Sequence, residues 1–419
     1  MDTTEKGLNF LVYDFGISVE LALRLVDGLK NHVQYYTDWP SGLPKFEEYA
    51  AGLGYEKEGL EKVLYFFDHI KDADCIVFPF IGAGDLCNYL RETTSIPIFG
   101  AGLGEKLEND RKMLRDVQER LGLPTQHTEF IMGLQNLREY LKVNPNKVVK
   151  INIFRGDVET FVAKDYDSVE LVLDKLSTRL GAFQDQYEFM VEDFIEGIEV
   201  GYDLFFNGTE YLKPVMWGMM GGGDIGVDKF DDELPEPLKK IADAMIPVLT
   251  NLNYHGFISN EARVTPQGIA YLTDLTTRFP YPVSSGFLDG IKNFPEVIYA
   301  VAKGENVKLE PAGKYIMSAP MRSQEAKELW INVKIEDKFR KYIKTYESAQ
   351  KDGKLYAVKG TEMVAVATSA SDSLEKLEMI LTKLMEKVDA YGLDKDSVLN
   401  IKKVIEDTQN FVSYGLGEF

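Results

Sequence analysis

Residues 191–203 read VEDFIEGIEVGYD and residues 259–279 read SNEARVTPQGIAYLTDLTTRF, and these two stretches decide the fold class. The first reads as a strand that leaves one lobe and enters the next, with Glu192, Ile195 and Glu199 at positions 0, +3 and +7. A strand between lobes is where a nucleotide can lie: the Glu192 carboxylate and the backbone from Asp193 through Phe194 to Ile195 suit an adenine edge, and Glu199 suits ribose hydroxyls. The bland alternative is an acidic, solvent-exposed turn. The second stretch reads as two antiparallel strands joined by the turn Thr265-Pro266-Gln267-Gly268, with Glu261 and Asp274 separated by 274 − 261 = 13 residues. Neighbouring strands bring such side chains within reach of one ligand. Two adjacent carboxylates repel unless a cation lies between them, and Mg²⁺ (or Mn²⁺) takes carboxylate together with phosphate oxygens. Thr276, two residues beyond Asp274, points to the same face and offers a third oxygen. The alternative here is a metal-free pair of charges at a sheet edge.

Upstream, Lys150 stands inside the apolar run VVKINIF (148–154), where a charge facing the core requires an anionic partner, such as a phosphate. The turn Arg155-Gly156-Asp157 follows, and its small Gly156 lets backbone N–H groups close over phosphates. Arg111, in ENDRKML, is a candidate for the same phosphates. The strand–turn–helix pattern at 8–30 and the alternating elements between 58 and 99 predict a parallel sheet covered on both faces. We read a helix at 58–71, one continuous helix at 105–121, and an α+β unit from 125 to 195. A hairpin follows around Asn207-Gly208, then a glycine cluster at Gly221, Gly222, Gly223 and Gly226, and a helix at 236–251. A further hairpin spans 355–368 and two helices close the chain. The turn at 14–16 is not GxGxxG, which argues against a nicotinamide dehydrogenase.

At 419 residues the chain exceeds one compact core. With 47 Lys and Arg against 67 Asp and Glu, its formal net charge of −20 opposes nucleic acid and anionic membrane, which reward only cationic partners. No stretch reaches the ~20 apolar residues of a membrane helix. The opening MDTTEKGLNF lacks the basic and apolar regions of a signal peptide, so a cytoplasmic location is expected. Cys75 and Cys87 match no metal or redox spacing and read as buried small residues.

With these motifs in hand, the sequence resembles the ATP-grasp superfamily along nearly its whole length, most closely the glycinamide ribonucleotide synthetase (phosphoribosylamine-glycine ligase) group. Residues 108–125, ENDRKMLRDVQERLGLPT, look like the entry helix. VVK at 148–150 looks like the nucleotide-binding lysine strand, and FMVEDFIEGIEVGYDLFFNG at 189–208 like the hinge strand. YLTDLTTRFPYP at 271–282 is similar to the last metal-binding strand, and residues 356–377 look like the closing C-terminal lobe. The resemblance implies an α/β and α+β multidomain chain: an N-terminal parallel-sheet domain (1–105), a small subdomain (106–195), a large subdomain with the metal site (196–310) and a C-terminal α+β lobe (311–419). It implies ATP and Mg²⁺ as cofactors and a small-molecule carboxylate and amine as substrates, joined through an acylphosphate by a monomer or homodimer. Arg111, Lys150, Arg155 and Gly156 would meet phosphates, while Arg278 and Lys213 would offset charge during the transfer, Arg278 being the candidate for the acylphosphate or acceptor carboxylate. Asp274 and Thr276 stand where the family usually has Glu and Asn. Residues 13–22, YDFGISVELA, lack the family's Gly-Gly-Arg-Glu-His string, which leaves the amine open. A catalytically degenerate, ATP-binding regulatory protein is the alternative.

Overall fold

The computed structural model describes residues 7–27, 30–37, 57–151, 160–394 and 397–419. The N-terminal sheet has five strands in the order β3-β2-β1-β4-β5, where β1 is Asn9–Asp14, β2 His32–Thr37, β3 Leu60–Val63, β4 Cys75–Val77 and β5 Ile98–Phe99. Every pairing within it is parallel. Its central strand shows why: Phe10, Leu11 and Val12 are all fully buried, with Leu11 in one hydrophobic cluster and Phe10 and Val12 in another, as expected of a strand covered on both faces.

A second, antiparallel sheet runs β6-β9-β7-β8, with β6 Thr128–Met132, β7 Lys147–Lys150, β8 Thr160–Ala163 and β9 Glu188–Asp193. The helices Leu134–Val143 and Glu170–Leu180 place Leu137, Leu141, Leu173 and Leu176 against Val149 and Phe189, a core of its own. The largest sheet has eight strands in the order β14-β13-β10-β11-β12-β15-β20-β17. Here β10 is Ile198–Asn207, β11 Val215–Gly221, β12 Ile225–Asp231, β13 His255–Val264, β14 Ala270–Thr276, β15 Tyr315–Arg322, β17 Ile343–Lys344 and β20 Met363–Ser371. The two faces of β10 are read from its alternation. Tyr202, Leu204 and Phe206 pack toward Ile241, Met245 and Leu249 of the helix Glu236–Asn251, whereas Phe205 joins Phe257, Phe279 and Phe294 on the other side. Asp203 therefore projects to the face that carries the aromatic cluster. A four-stranded sheet β18-β19-β16-β21 completes the fold, with β16 Ile331–Ile335, β18 Ser348–Lys351, β19 Lys354–Ala357 and β21 Val388–Ala390.

Three expectations are corrected. The stretch 58–71 is β3 followed by the 3₁₀ helix Phe66–Asp72 rather than an α-helix, because Leu60 and Val63 pair with the edge of the parallel sheet. The charged helix at 105–121 is broken at Asp110, whose side chain caps a new helix, Arg111–Arg120, by accepting from the Met113 N–H at 2.9 Å. The 355–368 hairpin is absent: β19 pairs with β16 and β18, and β20 pairs with β15 and β17.

Candidate active site

The passage from β9 to β10 carries Glu192 and Glu199. Glu192 is 1 % exposed, and its carboxylate is held by two buried cations: Arg115, which donates to Oε1, and Lys150, whose Nζ lies 3.2 Å from Oε2. Lys150 also donates to the Thr273 carbonyl of β14. The anionic partner expected for Lys150 is thus a protein carboxylate rather than a phosphate. The Glu192 side chain is in turn held by these two cations. The triad ties β7, β9, β14 and the helix Arg111–Arg120 together, a joint between the small sheet and the large one. Beyond it, Asp193 pairs with Lys147, and the Phe194 N–H donates to the Asn146 carbonyl at 3.1 Å. Glu199 accepts from Arg263 at 2.7 Å, and the Arg263 guanidinium lies over the Phe194 ring at 5.3 Å, so the start of β10 has a fixed charge pattern beside an aromatic face.

On β13 and β14, Glu261 and Asp274 are direct cross-strand partners, with a register shift immediately after Glu261. Ser259 stands opposite Thr276. The Asp274 carboxylate accepts from the Leu275 N–H at 2.9 Å and lies 3.5 Å from Arg111, whose other guanidinium nitrogen donates to the Ile151 carbonyl at 2.9 Å. Among the described residues no three His, Cys, Asp or Glu side chains cluster closely enough to hold a metal by themselves. The donor set still fits Mg²⁺, which takes one or two carboxylates and completes its octahedron with phosphate oxygens and water.

Ser259, Glu261 and Thr276 line a cavity of about 150 Å³ together with Glu199, Gly201, Asp203, Gly218, Asp228, Asn260 and Arg278, among others; Asp274 and Arg111 are not part of its lining. Gly201 and Gly218 face each other across β10 and β11. A β-carbon on Gly218 would fall 1.9 Å from the Val227 carbonyl oxygen and 2.8 Å from the Asp228 carboxylate, so only glycine permits this floor. Asp203, Asp228 and Ser259 come together there. Burial pushes the Asp203 carboxyl up to about 7, and burial and the Asp203 charge push Asp228 upward too.

Arg278 lines the cavity as expected, but its charge is already met by Glu108, 3.1 Å away, and its guanidinium lies 4.6 Å from the centre of the Phe80 ring. Lys213 is corrected. It is exposed, donates to the Asp232 carbonyl at 2.8 Å, precedes the start of β11 at the end of the β11–β12 hairpin away from its tip, and does not line the cavity. It belongs to no part of this site. The glycine cluster forms the tip of that same hairpin, at the end near the cavity. Arg155 and Gly156 lie outside the described residues. Cys75 and Cys87 are free and buried. Sequence reading missed Arg115, Asp203, Asp228 and Asn260. The two aspartates gave the same signal that singled out Lys150, a charge inside an apolar strand (YDLFF, VDKF).

No protein-family model matches the sequence. Among curated proteins, a trifunctional purine biosynthetic protein, adenosine-3, of Drosophila pseudoobscura pseudoobscura is 24% identical over 206 residues; the match takes in 47% of this chain and 15% of that much longer protein. Among solved structures, phosphoribosylamine–glycine ligase of Thermotoga maritima matches with a TM-score of 0.66 at 16% identity, over 92% of this chain and 98% of that one. Biotin carboxylase of Campylobacter jejuni, solved as a complex with a β,γ-ATP ligand, matches at 0.61 and 13%, over 96% of each chain. N5-carboxyaminoimidazole ribonucleotide synthetase of Thermus thermophilus matches at 0.60 and 14%, over 91% and 98%. These likenesses show the fold: the chain has the ATP-grasp fold across almost all of its length.

Proposed function

We propose that this protein is an ATP-dependent carbon–nitrogen ligase that releases ADP and phosphate while joining a small carboxylate to a small amine. The observation that carries the reading is the direct cross-strand pairing of Glu261 with Asp274, beside Thr276, at a polar cavity in an ATP-grasp fold. The fold neighbours whose names state a ligase, carboxylase or synthetase activity support it. Glu261 and Asp274, with Thr276, hold the divalent cation of Mg-ATP. When bound, that cation neutralises the phosphates and polarises the γ-phosphoryl group.

The chain's own residues do the rest. The backbone at Asp193, Phe194 and Ile195 borders the adenine, and Glu199, with Arg263, faces the ribose. Arg111 stands beside Asp274 and reaches the phosphates by leaving that carboxylate to the cation, and Arg278 orients the carboxylate substrate with its planar fork. An oxygen of that carboxylate attacks the γ-phosphorus as the bond to ADP breaks, giving an acylphosphate. The neutral amine then attacks the acyl carbon, the bond to phosphate breaks, and the nitrogen loses a proton. Lys150 and Arg115, locked on Glu192, keep the strand between the lobes in place and so act as positioning residues. The direct test is ADP and phosphate release with Mg-ATP over paired carboxylates and amines. ATP that binds without release under every pair would favour the regulatory reading, to which the Arg111–Asp274 contact also lends itself.

A further inference from the structure

The glycine cluster at the tip of the β11–β12 hairpin has a place that the ligase chemistry just described does not use. Between the two strands only Gly222, Gly223 and Asp224 stand outside the ladder. Asp224 is a non-glycine residue in the left-handed region, at φ +58°, a conformation that persists where its surroundings fix it. Both arms of Arg322, the last residue of β15, hold this tip: one guanidinium nitrogen donates to the Gly223 carbonyl at 2.8 Å, and the other to the Asp224 carboxylate. The helix Ser397–Thr408 presses on the same tip. A β-carbon on Gly221 would lie 2.2 Å from Cγ2 of Val404, so only glycine lets strand and helix meet this closely. On the other flank, a β-carbon on Gly226 would lie 2.4 Å from Cγ1 of Val283. Val283, Met219 and Met220 line the cavity, and Met220 is 37 % exposed, so it borders both the cavity and solvent. This stretch of cavity wall is therefore continuous with a tip that is fastened to β15 and to the helix Ser397–Thr408.

From this geometry we infer that Arg322 is a positioning residue: by holding the tip at residues 222–224, it keeps Met219 and Met220 in place as the wall that shuts water out of the cavity. Arginine suits the task and lysine does not, because the planar fork reaches a carbonyl and a carboxylate at once, whereas an ammonium is a single point charge. Neither Arg322 nor Asp224 is among the residues that line the cavity, so the effect runs through the wall and not through a substrate contact. The chemical consequence rests on the ligase reading. Water can attack the acyl carbon of an acylphosphate in place of the amine. The bond to phosphate then breaks, the carboxylate and free phosphate are returned, a proton passes to solvent, and ATP is consumed without an amide. A dry site prevents that side reaction. Loss of the latch should therefore uncouple ADP release from amide formation while leaving ATP cleavage itself in place.

The test compares the parent with Arg322→Gln, Arg322→Lys and Asp224→Asn in the full chain. Amide hydrogen exchange over residues 219–226, read by mass spectrometry, should rise about tenfold or more in Arg322→Gln, the scale of losing a hydrogen bond to a charged group, with β13 unchanged. Hydrogen peroxide, a probe close to water in size, should oxidise the half-buried Met219 faster by a similar factor. Arg322→Lys should recover only part of the protection. Asp224→Asn removes the charge from the other side at a residue type that tolerates left-handed backbone, so it should loosen the tip even if Arg322→Gln misfolds. With a carboxylate and amine pair that turns over, the parent should form ADP and amide in equal amounts, and Arg322→Gln should raise ADP over amide at least about twofold. Exchange over 219–226 that matches the parent, or that rises equally in β13, would overturn the positioning role, as would equal amounts of ADP and amide from a chain whose tip has loosened. Complete recovery by Arg322→Lys would overturn the role given to the fork. A chain that forms no amide under any pair rejects the ligase reading, and hydrogen exchange and peroxide oxidation then decide the positioning role on their own.

Discussion

Replacing Glu192 by Gln removes the one charge that, among the described residues, pairs with two buried cations in the joint between the sheets. Lys150 is 5 % exposed and Arg115 is equally buried, so neither gains water when the carboxylate goes. Breaking a buried ion pair from one side costs about 3–5 kcal/mol, because the remaining charge stays desolvated. The glutamine oxygen keeps one neutral hydrogen bond, worth about 1 kcal/mol, so a net loss of ~2–4 kcal/mol is expected. Urea unfolding followed by tryptophan fluorescence and by backbone circular dichroism reads this loss, and disagreement between the two probes would reveal separate unfolding of the small lobe. The double replacement Glu192→Met with Lys150→Met removes charge on both sides and should recover part of the loss. A Glu192→Gln protein within 1 kcal/mol of the parent would refute the claim that this triad locks the hinge strand.

The remaining expectations concern the cavity and the corrected residue. Lys213→Ala should leave turnover within about twofold of the parent and cost at most ~0.5 kcal/mol of stability, since the side chain is exposed and does not line the cavity; a tenfold loss of turnover would return Lys213 to the site. Gly218→Ala forces a β-carbon to within 1.9 Å of the Val227 carbonyl oxygen and should cost about 2 kcal/mol or more, visible as a lowered urea midpoint. The Asp203–Asp228 pair has folded-state values raised above the unfolded carboxylate value, with Asp203 at about 7. Its contribution to stability is therefore complete below about pH 4 and is lost as pH rises from there through 7. Asp228→Asn should gain on the parent in urea midpoint between pH 5 and pH 8, and a difference that does not change with pH would contradict this.

The legible part of the fold was whatever a short stretch determines locally. The run of apolar residues in β1, the helix Glu236–Asn251 and the cross-strand placement of Glu261 and Asp274 followed from periodicity and one turn. What failed depended on distant partners. Residues 58–71 carry helical spacing, yet Leu60 and Val63 are claimed by the edge of β2. The partner of Lys150 came from a strand 42 residues on, at Glu192, and not from a ligand. Lys213 was expected to offset charge during the transfer, and only the register of β11 against β10 and β12 assigns it to the far end of that hairpin. Asp203 and Asp228 meet across β11 because Gly218 intervenes without a side chain, a coincidence of three strands that no single window reveals.

The measurement that bears most directly on the proposed ligase is ADP and phosphate release from Mg-ATP across a panel of small amino acids and amino alcohols paired with carboxylates and amines. Asp274→Asn and Glu261→Gln are run alongside, with the fold of each checked by circular dichroism. The account predicts release that requires one particular pair, forms ADP and phosphate in equal amounts with an amide product, and falls about a hundredfold or more in either variant, the scale of losing metal-borne charge stabilisation. ATP turnover unaffected by both variants, or nucleotide binding with no turnover under any pair, would contradict it.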